Sequence, residues 1–247
     1  MRLFAAYSVV AMFLVTTIVG GRLLLTARRT RQLPELFFGF AFVGTGVGLG
    51  VGQLGASFLW TTGTPFATAM STAFFGLVVA GVVVLHAAIW RVFRPQGMRG
   101  FASFAIGCCL TLVAYGMRIG AGDFSTGVVA SRGMQVFGFA LIWVFSWAGT
   151  EALQLYLQLR KQARLGLSKP VTAARIGLWG VAASSSAVMA IVTSYNVLSL
   201  HRNPLDDTLS TGILLLTVLG ASGAMWLAFF PPAAVRSRLE PNADPSS

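Results

Sequence analysis

Apolar and polar positions divide the chain into seven long apolar runs with short polar links between them. The runs cover about residues 3–25, 35–60, 66–93, 101–121, 133–159, 172–198 and 208–231. Each meets the roughly 17–25 residues that a helix needs to cross ~30 Å of hydrocarbon, and the longer ones allow tilt. The pattern predicts an all-α fold: a polytopic membrane protein with one seven-helix transmembrane domain over residues 1–235. From Arg236 the chain reads RSRLEPNADPSS, a polar, Pro-rich stretch expected to be a disordered tail over 236–247. The first run follows Arg2 as a signal peptide would. It continues to Leu25 without a good cleavage site, so it reads as the first transmembrane helix.

Composition agrees. The chain is 55% hydrophobic and 10% charged, where soluble domains carry about 25% charged residues. The formal charge is +11, and sixteen of the eighteen basic residues are arginine. They sit in the links, which argues against nucleic acid and for headgroup contact and orientation. Arg28, Arg29 and Arg31 follow the first run; Arg91, Arg94 and Arg99 flank the third link. Arg160, Lys161, Arg164 and Lys169 fill the fifth, and Arg236 and Arg238 begin the tail. The second, fourth and sixth links carry little net charge. The positive-inside rule then places the N-terminus outside and the C-terminus in the cytoplasm. Arginine- and alanine-rich composition with short links suggests a bacterial inner membrane.

Small residues mark the second run. Gly44, Gly48 and Gly52, spaced i, i+4 and i+8, form a smooth groove down one side of a helix, the glycine-zipper pattern that lets membrane helices approach closely. A shift of 136 residues places Pro34 on Pro170, the Trp90-x-x-Phe93-x-Pro95 motif on Trp226-x-x-Phe229-x-Pro231, Gly44 on Gly180 and Gly48 on Ser184. Runs 1–3 therefore read as repeated in runs 5–7, with run 4 as connector, a 3-1-3 plan of two parallel halves. In architecture alone this plan resembles sugar transporters of the SWEET type and the layout proposed for microbial rhodopsins. The prolines here sit at helix ends, whereas SWEET-type proteins carry mid-helix prolines as hinges. A retinal Schiff base needs a lysine in the last helix, and the only lysines are Lys161 and Lys169, both in a link.

Candidate chemistry is sparse. Cys108 and Cys109 are adjacent inside an apolar run and point about 100° apart, which disfavours a bond between them. His86 and His201 fall on opposite sides of the membrane, so no metal site is expected. Gly50-x-Gly52-x-x-Gly55 matches a dinucleotide fingerprint in letters but lacks the strand that its mechanism requires. The sharper clue is two ionisable groups inside the membrane, which are costly and usually functional. His86 and Glu151 lie at similar depth, roughly 10–15 Å from the cytoplasmic end at 1.5 Å per residue, so an ion pair or hydrogen bond between them is expected. Glu151, Gln154, Gln158 and Lys161 follow at +3, +4 and +3, a polar stripe on one helix face. It reads as the lining of a cytoplasmic cavity or as a face for a partner helix. At the outer side Tyr195 and Asn196 end one run, and Asp206 and Asp207 suit the positive end of the next helix. Ser184 to Ser186 and Thr45 are among the few polar groups at the midplane.

These features lead to the expectation of a non-enzymatic membrane protein without cofactor. It would be of sensory, signalling or accessory type, acting on a cytoplasmic or membrane protein partner through its cytoplasmic face. The alternative is a small-solute permease or channel with a path between the two halves.

Overall fold

The computed structural model describes residues 2–54, 63–126, 131–199 and 207–231. Gly55, Trp60, Thr61, Thr62, His201, Arg202, Asp206 and the 236–247 tail lie outside the described residues, as does the side chain of Gln53. The described chain is helical. Its elements are α1 (Arg2–Thr30), α2 (Leu33–Leu54), α3 (Pro65–Phe93), α4 (Met98–Gly120), α5 (Asp123–Thr126), α6 (Arg132–Arg164), α7 (Pro170–Leu198) and α8 (Thr208–Phe229). Seven are long and apolar enough to cross a membrane. The short α5 is an addition to the expected seven, and α6 runs five residues further than its apolar pattern, to Arg164.

Helix starts follow local chemistry. The Thr64 side chain accepts a hydrogen bond from the Ala67 amide at 3.2 Å, with Pro65 opening α3. Ser131 accepts from the Met134 amide at the start of α6, and Asp207 from the Ser210 amide at 2.9 Å at the start of α8. Each cap satisfies an amide that has no carbonyl partner in the first turn. Gly166, at φ 74°, ends α6 in a left-handed conformation that favours glycine.

Each long helix packs on its sequence neighbour, and α1 meets α8, so the seven spans close into a ring in chain order. The chain passes across the ring too, because α3 also touches α6. The main core surrounds α3. Val78, Val82, Leu85 and Ile89 pack with Ala41, Ala114, Phe137, Val144, Ala148 and Ala183 from four other helices. A second cluster of Val19, Leu23 and Phe42 packs with Trp179, Met225 and Phe229. Large apolar side chains such as Phe40, Leu112 and Leu216 point outward, as a bilayer permits and water does not.

The glycine groove of α2 is filled by α3. A Cβ at Gly44 would lie 3.1 Å from the Leu77 carbonyl oxygen, and one at Gly48 would lie 2.7 Å from Val78 Cγ2 and 2.8 Å from the Phe74 oxygen. A Cβ at Gly52 would lie 3.3 Å from Phe74 Cβ. Gly180 and Ser184 also serve packing, but toward a different neighbour. Gly180 faces Leu153, and Ser184 lies against Gly149, both on α6. A two-fold relation at an offset of 136 would turn them toward α8, as Gly44 and Gly48 turn toward α3. Equivalent positions in the two halves thus meet non-equivalent helices.

This packing sets a contrast between two glycines. Gly48→Ala must push α3 away and is expected to cost about 1–3 kcal/mol. Gly116→Ala, where an added Cβ meets no atom within 4 Å, is expected to change stability by no more than about 0.5 kcal/mol. Thermal unfolding in detergent measures both.

Candidate functional site at the basic end of the bundle

Antiparallel packing brings the ends of α1, α3, α6 and α8 and the starts of α2, α4 and α7 to one end of the ring. Among the described residues the basic links and the two glutamates, Glu35 and Glu151, gather there. Glu151 is half-buried on α6. Arg94, at the end of α3, donates from Nε to both Glu151 carboxylate oxygens at 2.9 and 3.0 Å. Arg94 Nη2 donates to Gln154 Oε1 at 3.4 Å, and Trp147 Nε1 donates to Glu151 Oε1 at 3.3 Å. The hydrogen bond and then the charge of Glu151 hold the Arg94 guanidinium above its ordinary pKa. The arginine remains a cation, and the cluster clamps α3 to α6.

The expected His86–Glu151 bond is not formed. His86 is fully buried on α3, and its Nδ1 lies 2.8 Å from the Val82 carbonyl one turn back. A carbonyl only accepts, so Nδ1 carries the proton and Nε2 presents a lone pair. That nitrogen has no hydrogen-bond partner and is turned against Gly107 of α4, where an added Cβ would collide with the ring. The two groups turn to different neighbours: His86 faces α4, while Glu151 is held by Arg94, just past the end of α3.

The polar stripe is turned outward, and its residues line neither of the clefts at the basic end. Gln154, Gln158 and Lys161 are exposed, and of these Gln154 reaches Arg94. The basic end instead carries two shallow clefts, one between α2 and α3 beside Pro34 and Arg91, the other between α6 and α7 beside Arg160 and Pro170. Arg22, absent from the expected site because it lies inside an apolar run, donates from Nη1 to the Phe229 carbonyl at 2.8 Å and lies over the Phe230 ring at 4.4 Å. It ties α1 to α8.

At the opposite end the sequence reading missed a buried ion pair. Arg118 of α4 lies 3.5 Å from Asp123 of α5, with side-chain exposures of 12% and 6%. The guanidinium sits between the Phe75 and Phe124 rings, 4.4 and 4.5 Å from their centroids. The i, i+5 spacing was visible, but only the turn at Gly122, with φ 70°, brings the two together. Nearby, Asn196 of α7 is buried; its Nδ2 donates to Ser210 Oγ at 3.0 Å, and that hydroxyl lies 2.7 Å from Asp207 Oδ2. Asp207 thus caps α8 as expected and joins a polar link to α7.

Comparison of the chain with family models, curated proteins and solved structures finds no match. Among the described residues no three His, Cys, Asp or Glu side chains come together as a metal site would need.

Two experiments follow. Double-mutant cycles on thermal stability are expected to be additive within about 0.5 kcal/mol for His86→Ala with Glu151→Ala, and clearly non-additive for Arg94→Ala with Glu151→Ala. Arg118→Gln leaves Asp123 buried without its cation and is expected to destabilise by about 3–5 kcal/mol. Chemical unfolding of the single variant tests this.

Proposed function

We propose that the protein is a sensory, signalling or accessory membrane protein that acts on a protein partner through its basic end. The observation that carries this reading is the contrast between a filled interior and a charged, exposed end. The space between α3, α6 and α7 holds Val78, Val82, Phe137, Val144, Ala148 and Ala183. The midplane hydroxyls serve structure: Thr45 donates to the Ala41 carbonyl at 2.8 Å, and Ser186 to that of Ala182 at 3.0 Å. Ser184 and Ser185 lie against Gly149 and Gly220. A permease path between the halves would have to open this apolar packing. By contrast, Gln154, Gln158 and Lys161 are displayed outward with Arg28, Arg29, Arg31, Arg99, Arg160 and Arg164, where a partner can read them.

In this reading the basic end is cytoplasmic, with the N-terminus outside, and the membrane is a bacterial inner membrane. The charge pattern supports that orientation through the positive-inside rule. The 3-1-3 plan is kept as a proposal about ancestry, supported by the matched prolines and Trp-x-x-Phe-x-Pro motifs. The protein is read as non-enzymatic and cofactor-free.

Two measurements test the proposal. Proteoliposomes exposed to gradients of glycerol, sugars and amino acids are expected to swell no faster than protein-free vesicles; saturable, solute-specific swelling would establish the permease instead. Alkaline phosphatase fused after Pro232 is expected to be inactive in a bacterial host, and an active fusion would invert the topology.

A further inference from the structure

We propose that the cleft between α6 and α7 at the basic end is a binding site for one anionic phospholipid, held by its phosphodiester. The cleft has a volume of about 350 Å³. Tyr156, Arg160 and Arg164 follow at i, i+4 and i+8 on one wall of α6. Pro170 and Ala174 form the facing wall on α7, small and apolar, so the recess offers two guanidinium groups over an apolar floor. That combination suits a phosphodiester with its glycerol and first acyl methylenes below it. Guanidinium forks match phosphate oxygens in geometry as well as charge.

Three further observations support this occupant. The cations are available: the ion pairs among the described residues join Glu151 to Arg94 and Asp123 to Arg118, and neither Arg160 nor Arg164 has an acidic partner among those residues. The mouth is built in advance. The Ser168 hydroxyl donates to the Leu159 carbonyl at 3.0 Å, and the Leu167 amide to that of Gln162 at 2.9 Å, fixing the link that joins the two walls. The depth is right. Trp179 packs edge-on to Phe38 in an aromatic layer that Trp90 and Trp226 continue near the same ends of their helices, a layer typical of the membrane interface. Ala174 lies five residues outward of Trp179, roughly 8 Å along the helix, at the level of headgroups. Basic pockets between membrane helices are known to take such headgroups.

Native mass spectrometry of the full chain in detergent, titrated with dioleoyl phosphatidylglycerol, tests the site. The expected result is one retained lipid, at least about tenfold preferred over dioleoyl phosphatidylcholine, and not displaced by millimolar inorganic phosphate. Arg160→Gln with Arg164→Gln is expected to weaken it roughly 10- to 30-fold. Arg28→Gln with Arg29→Gln removes the same charge from exposed positions elsewhere at this end and is expected to leave it unchanged. Ala174→Phe, which fills the recess and keeps both arginines, is expected to expel the lipid. Should the double variant fail to fold, Arg164→Gln alone must weaken binding at least about threefold. Equal losses in the two charge variants, retention by Ala174→Phe, no headgroup preference or displacement by inorganic phosphate would each overturn the proposal.

Discussion

The architecture depends on how closely α3 can be approached. In lipid there is no water to expel between helices, so association rests on van der Waals contact and on polar groups with no other outlet. Here α3 contributes bulk and its neighbours contribute glycine. Phe74 and Val78 fill the groove of α2 at Gly48 and Gly52, His86 lies on Gly107 of α4, and the Trp90 ring lies over Gly100. The relation reverses at two glycines of α3: Gly81 lies against Ala41 and Thr45 of α2, and Gly76 against the Tyr115 hydroxyl of α4, which donates to the Thr72 carbonyl at 3.2 Å. These contacts, with the added touch on α6, make α3 the most buried of the seven spans. The glycine-rich α2, which dominates the sequence to the eye, is one of the surfaces shaped to receive it.

Much of this was legible in the chain. Span number and approximate limits follow from run length, and the α8 cap follows from Asp207 preceding an apolar run. The groove of α2 follows from glycine spacing. Helical rotation was not legible. Periodicity states which residues share a face, but not which neighbour that face meets. Gly180 and Ser184 were paired by sequence with Gly44 and Gly48, yet turn toward α6 rather than α8. The same limit explains His86 and Glu151. Residue counts suggested a common depth but carry no azimuth, and the helices turn one toward Gly107 and the other toward Arg94. Arg94 was itself read as a mark of orientation, because a pattern of loop charges does not tell which cation folds back onto a helix.

The polar inventory divides by position. At the end opposite the basic links polar groups are consumed in structure: Arg118 with Asp123 between two rings, Asn196 with Ser210 and Asp207. At the midplane hydroxyls bond within their own helices. At the basic end the cationic excess is displayed, with Arg94 and Arg22 spent on joining helices and Arg160, Arg164 and Lys161 left outward. On the proposed reading this division leaves one surface for recognition, the basic end. His86 is the exception in the interior, a buried imidazole whose Nε2 is aligned on glycine rather than on a donor.

The most direct test of the central claim is a suppressor measurement at the α3–α4 crossing. Thermal stability of Gly107→Ala should fall sharply, because its methyl group occupies the space of the His86 ring. Adding His86→Ala should restore much of the loss by removing that ring. A Gly107→Ala protein that unfolds like the parent, or one that His86→Ala does not rescue, would contradict the placement of α3 against glycine.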